Sequence, residues 1–161
     1  MIPILVEEAS SIDKIGLLAT ARAKSDHPEK VINFYKSPLF IKSVEYAKQH
    51  YHRLYFYNAK DGLLLPDQWI SPYDISIKTF SLSEKKAWAH RVIASLREFE
   101  HPNEVCIYLH GGMIYRKFLE PELLSHNFQF QVPLKGFSIG QQLKWFSEKL
   151  TKEGSENEYN E

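Results

Sequence analysis

A chain of 161 residues is the size of one ordinary domain, long enough to bury a real core. Its 43% hydrophobic and 25% charged content excludes a disordered chain. The 20 basic residues balance the 20 acidic ones, so no global field draws the protein to nucleic acid or membrane.

The last ten residues hold four acids and one base, and without them 19 bases face 16 acids. That mild positive excess suits a small anionic ligand better than a long duplex. The single cysteine, Cys106, excludes an intramolecular disulfide and a cysteine-rich metal cluster. The apolar run Ile2 to Val6 lacks a basic start and stops at Glu7 and Glu8, unlike a signal peptide. No stretch approaches the ~20 apolar residues that cross a bilayer. Cytoplasm is the expected compartment, with no membrane partner.

Residues 1–12 read as a polar-flanked lead-in. Lys14 to Thr20 is a continuous apolar run, the pattern of a strand buried on both faces. Thr20 to Asn33 is polar and irregular. Ser37-Pro38 is an N-cap followed by proline at the first helical position. Behind it Phe40, Val44, Ala47 and Tyr51 form one helical stripe. His52 to Asn58 is an aromatic-rich second strand, closed by the turn Ala59 to Gly62. Leu63 to Ser76 contains Pro66 and Pro72 and reads as a long loop with short extended pieces.

Ser81-x-x-Glu84 fits a capping box, opening a helix with Trp88, Val92, Leu96 and Phe99 on one face. Glu104 to His110 is a third strand, running into Gly111-Gly112. Met113 to Ser125 is helical, with Pro121 expected to kink or split it. Phe128 to Val132 is a fourth strand. Ser138-x-x-Gln141 opens a last helix carrying Ile139, Leu143, Phe146 and Leu150. Residues 151–161 read as a polar tail without structure.

Strands joined through helix-length segments predict parallel βαβ units. The expected fold is one α/β domain over residues 1–150, a three-layer, Rossmann-like sandwich around a mainly parallel sheet of four to five strands.

Ligands of such sheets bind beyond the carboxyl ends of the strands. That rule selects Thr20, Arg22 and Lys24 after the first strand, and Lys60 and Asp61 after the second. It selects His110, Gly111, Gly112 and Arg116 after the third, and Lys135 and Gln141 after the fourth. Glycines at helix starts let backbone N–H groups approach an anion, and the bases supply fixed charge. Tyr73 and Asp74, in the long loop, are placed to close over the same edge, with Asp74 the best general-base candidate. Read individually, Gly111-Gly112 is also a common tight turn, Lys60-Asp61 a solvated turn, and Asp74 an Asx-turn. His27, His50, His52, His90, His101 and His126 show no ligand spacing, and the residues point to no metal or cofactor. Cys106 reads as an inert mid-strand thiol.

Four ordered segments carry a resemblance: Tyr35-Lys-Ser-Pro-Leu-Phe40, Asn58-Ala-Lys-Asp-Gly-Leu-Leu64, Pro72-Tyr-Asp74 and Pro133-Leu-Lys-Gly-Phe-Ser-Ile-Gly-Gln141. From Lys14 to Leu150 the chain resembles an uncharacterised domain family of bacteria and phages. That family is more distantly similar to YaaA-like peroxide-stress proteins and to the accessory domain of archaeosine synthase. The resemblance implies a Rossmann-like or uracil-glycosylase-like sandwich and a nucleobase, nucleotide or nucleic-acid ligand. Members of the family typically read Ser-Cys-x-Lys-x-Lys after the first strand. Here Arg22 and Lys24 keep the two bases, but Thr20 replaces the cysteine, and threonine is a far weaker nucleophile without an adjacent base.

The leading expectation is a nucleotide- or nucleobase-binding domain, extending to N-glycosidic hydrolysis or base-modifying transfer with Asp74 as general base or cation stabiliser. In it Arg22, Lys24 and Lys60 hold the anion and Tyr73 meets the base. The alternatives are a non-catalytic, phage-borne nucleotide sensor or sequestering protein, favoured by Thr20, and a nucleic-acid accessory using Arg53, Lys85, Lys86 and Arg91. The charge balance argues against the last.

Overall fold

The structure is a computed structural model that describes the backbone of residues 12–160 and the side chains of residues 12–151. Most of the lead-in therefore lies outside the described residues. The apolar run after Ile12 forms β1 (Asp13–Ala19), whose residues Ile15 to Leu18 are all buried. Two packing faces explain why that run is unbroken by polar residues.

The chain continues through β2 (Glu29–Lys30), α1 (Val31–Phe34) and α2 (Pro38–His50) to β3 (Arg53–Asn58), β4 (Gly62–Leu64) and β5 (Trp69–Ile70). A 3₁₀ turn at Ile77–Thr79 leads into α3 (Leu82–Phe99), and a second at Pro102–Glu104 leads into β6 (Val105–His110). Then follow α4 (Met113–Ser125), β7 (Gln129–Gln131) and α5 (Ile139–Asn160). The backbone of α5 thus runs helically through the stretch whose composition reads as a tail.

Five strands make one sheet in the order β4-β3-β1-β6-β7. Only the β3–β4 pairing is antiparallel, so the sheet is mainly parallel, as expected. β2 and β5 pair separately, as a small antiparallel ribbon. Sequence reading missed β2 and α1 because both depend on distant backbone. Val31 N–H donates to Gln68 O at 2.9 Å and Ile32 N–H to Pro66 O at 3.1 Å.

Side chains alternate across the sheet and define two cores. Ile15, Leu17, Tyr55, Tyr57 and Ile107 meet Trp88, Val92 and Leu96 of α3 and Leu119 and Leu123 of α4 on one face. Leu18, Phe56 and Leu64 meet Phe34, Phe40, Val44 and Tyr51 on the other. The result is a three-layer α/β sandwich of Rossmann-like form. Ser37 caps α2, accepting from Phe40 N–H, and Ser81 with Glu84 forms the expected capping box. Pro121 neither splits nor ends α4, which is continuous across it. Among the described residues no helix is long and apolar enough to cross a membrane.

Candidate functional site

The strand order fixes where a ligand has room. From β1 the chain crosses to β3 on one side, and from β6 to β7 on the other. The connections therefore diverge between β1 and β6, the switch point at which open α/β sheets form a crevice. A cavity of about 370 Å³ lies there, lined by Ala19 and Thr20 from β1 and its following loop and by His110, Gly111 and Gly112 from β6 and its turn. A smaller pocket of about 170 Å³ adjoins it, sharing Thr20, Ala21 and Tyr115. The two form one crevice astride the carboxyl end of β1.

Three helices begin on the larger cavity, at Ser37 (α2), Gly112 (α4) and Ser138 (α5). α4 and α5 come next after β6 and β7, and α2 lies on the return from β1 to β3, so all three N-termini open at the carboxyl edge of the parallel strands. Ser37 caps its own helix, and Ser138 with Gln141 forms a second reciprocal box at 2.8 and 3.2 Å. Gly112 provides no side-chain cap, which leaves first-turn N–H groups of α4 for solvent or an anion. The outer wall is apolar, with Phe137 and Ile139 exposed beside Phe146.

His110 is the polar residue of the cavity wall that burial constrains most, being only 6% exposed. Its Nε2 lies 2.6 Å from the Tyr51 hydroxyl, while its Nδ1 is buried with no partner. Burial pushes the Tyr51 hydroxyl well above the usual phenol range and holds the imidazole down to about 4. At neutral pH the ring is uncharged. In a neutral ring Nδ1 is a donor or an acceptor according to the tautomer, and in either case it is unsatisfied.

The sequence builds this pair through two glycines. A Cβ at Gly16 would lie 2.6 Å from Tyr51 Cδ2, so only glycine lets the Tyr51 ring lie against β1. Tyr51 also stacks on Tyr108 at 5.0 Å. Gly111 has φ +142° and no room for a side chain beneath the Tyr57 hydroxyl, which donates to His110 O at 2.8 Å.

The smaller pocket is more polar. Lys24 Nζ donates to Arg22 O at 3.0 Å and lies 4.7 Å from the centre of the Tyr73 ring. Tyr73 and Tyr35 share a hydroxyl hydrogen bond of 2.7 Å, and burial raises both phenols above the usual range. Asp74 and Arg22 are exposed and line the same pocket. The Thr20 hydroxyl lines both pockets but donates to Tyr57 O at 2.9 Å.

Thr20, Arg22, Lys24, Tyr73, Asp74, His110, Gly111 and Gly112 therefore meet in one crevice. Lys60, Asp61, Lys135 and Gln141 line neither pocket. Asp61 closes the turn after β3, its N–H donating to Asn58 Oδ1 at 2.5 Å and its carboxylate accepting from Asn58 Nδ2 at 3.1 Å. Gln141 is spent on the α5 cap. Arg116 is not free positive charge: it is buried, its Nε donates to Gly111 O at 2.9 Å, and Nη1 pairs with Glu120 at 2.8 Å. Arg53, counted in an outer basic face, is held by Glu100 and Asp13.

Sequence reasoning missed Ser37, Phe137, Ser138 and Phe146 as cavity residues. The Ser37 and Ser138 caps were legible; the signal lay in counting helix starts, as well as strand ends, at the carboxyl edge.

The family profile of DUF6884, described as a family of unknown function, matches residues 15–148. The chain belongs to that family. The match takes in every residue that lines the two pockets, so the whole crevice falls within the family's domain. No curated protein and no solved structure matches the chain.

Proposed function

We propose that the crevice binds a nucleotide or nucleobase ligand. The observation that carries this is the cavity at the sheet's switch point, on which the uncapped N-terminus of α4 opens beside His110. The helix N-termini favour an anionic group, and the apolar wall of Phe137, Ile139 and Phe146 favours a flat, weakly polar one. A cavity of about 370 Å³ is in the range of small-ligand sites. Arg22 and Lys24 line the adjoining pocket, within reach of a phosphate that extends across Thr20. The more distant similarity read for the family, to YaaA-like proteins and the archaeosine synthase accessory domain, points to the same ligand class.

A thermal-shift screen of nucleobases, nucleosides, mono- and dinucleotides and short single strands tests it. A ligand at a hundred times its Kd stabilises by roughly 2.7 kcal/mol, a shift of several degrees. The double variant Tyr51→Phe/His110→Phe removes both partners of the buried hydrogen bond, a change that is close to neutral for folding. We expect one ligand class to shift the wild-type chain and not this variant. Equal shifts in both, or none in either, reject the crevice reading.

Binding without chemistry is favoured by the Thr20 hydroxyl, which is committed to a backbone carbonyl instead of a base. Catalysis, as glycosidic-bond hydrolysis or base transfer, rests on Asp74 lining the adjoining pocket. Asp74→Ala separates them: a binder keeps its affinity and shows no turnover with either chain, whereas in an enzyme turnover is present and is lost with the carboxylate.

A further inference from the structure

His90 projects from α3, and Glu122 and His126 lie one turn apart at the end of α4. The first member is 32 residues from the second, so no local spacing announces the group. Helix packing nevertheless brings one ligand atom of each residue within 4.8 Å of the other two. His90 Nδ1 is 3.2 Å from Glu122 Oε2, and His126 Nδ1 is 3.5 Å from the same oxygen. Both imidazoles thus lie beside one carboxylate, His126 facing it through Nδ1.

We propose that His90, Glu122 and His126 form a binding site for a divalent metal of the zinc class. Imidazole and carboxylate are the ligand types that such borderline ions take, at about 2.0–2.2 Å. In a tetrahedral site those bond lengths set neighbouring ligand atoms about 3.4 Å apart, close to the His90–Glu122 separation. The ion replaces the proton shared between His90 Nδ1 and Glu122 Oε2, and that proton leaves to solvent.

His126 is already arranged as a ligand. Its Nδ1–H donates to Glu122 O at 2.9 Å, since a carbonyl only accepts. The lone pair is therefore on Nε2, and the ring is oriented by a backbone carbonyl, as metal-bound histidines are. Glu122 and His126 side chains are 23% and 14% exposed, and His90 is 62% exposed. The two inner ligands are the more buried, and the exposed outer one has the freedom to close the set from within 4.8 Å to tetrahedral spacing. Three protein ligands leave a fourth position open to water or another donor. Glu122 also borders a groove with Lys86, Lys117 and Phe118, so that position is accessible. The crevice is at the opposite end of α4, roughly 15 Å away along the helix axis at 1.5 Å per residue, and the metal site stands independently of what binds there.

The test uses the full chain without an affinity tag, stripped with chelator and dialysed. Cobalt(II) is titrated in while its ligand-field absorbance is followed, and zinc is then added in competition. We expect one equivalent of cobalt, displaced by zinc, with affinity falling at least about tenfold in His90→Ala and in Glu122→Gln. His27→Ala, which alters the separate His27–Asp26–Glu29 group, should bind like the wild-type chain. Since the His90 side chain is largely exposed, its removal leaves the fold intact, which circular dichroism checks. No saturable one-to-one complex in the wild-type chain, or unchanged affinity in His90→Ala, overturns the assignment.

Discussion

The Tyr51 hydroxyl lies 2.6 Å from Nε2 of His110, joining residues 59 positions apart in the chain. One is the C-cap of α2, and the other is the last residue of β6. Their contact ties a helix end to the strand that forms the crevice floor. It also fixes the orientation of the imidazole on the cavity wall.

That pair makes stability depend on pH in a definite direction. Burial holds His110 at about 4 in the fold, against 6.5 for the free side chain. Between those values the unfolded chain binds a proton that the folded chain refuses. The contribution is complete above pH 6.5 and is lost as pH falls towards 4, amounting to about 3 kcal/mol. Urea midpoints across this window should fall more steeply in the wild-type chain than in Tyr51→Phe/His110→Phe. Parallel profiles would show that the ring is not buried as described.

The two adjacent glycines should answer differently to the same change. Gly111 holds φ +142°, and a methyl group there meets the Tyr57 hydroxyl and the Ala19 Cβ. Gly111→Ala is expected to destabilise by about 2 kcal/mol or more, through backbone strain and overpacking. At Gly112 the nearest atom to an added Cβ is 4.0 Å away. Gly112→Ala should cost less, about 0.5–1 kcal/mol, the difference between glycine and alanine at an N-cap. Thermal melts of the two variants check the contrast.

At the amino edge of the sheet the Glu100 carboxylate is buried, with its side chain 4% exposed. It accepts from Arg53 Nε and Nη2, both at 2.8 Å, and from the Tyr55 hydroxyl. Arg53→Met leaves that carboxylate with one partner and should destabilise by about 1–3 kcal/mol. Ligand affinity should be unchanged, because the crevice lies at the other end of the strands. Denaturant titration paired with a binding isotherm separates the two effects.

The main elements were legible wherever local pattern and tertiary packing agree. β1, β3 and β6 announce themselves as apolar runs, and Ser37-Pro38 and Ser81-x-x-Glu84 as helix starts. α1 was not legible, because a four-residue helix is held by Gln68 and Pro66 and not by its own sequence. Of the residues the strand-end rule selects, Thr20, Lys24, His110 and Gly111 line the crevice, since strand ends are visible in sequence. Lys60 and Gln141 line neither pocket, because a turn and a cap use the same residue types as an anion site. The Tyr51–His110 and His90–Glu122 contacts were invisible for a simpler reason: each joins distant segments, and no spacing within either segment encodes the other.

The most direct measurement is nitrogen NMR of the histidine rings, recorded midway between pH 6.5 and 4, first without ligand and then during titration with the nucleotide class that stabilises the fold. His110 should be neutral, and its ring resonances should shift in step with saturation, because the ring lines the cavity. Ring resonances unmoved at saturation would contradict the assignment of this crevice as the ligand site, and a charged ring at that pH would contradict the burial of His110.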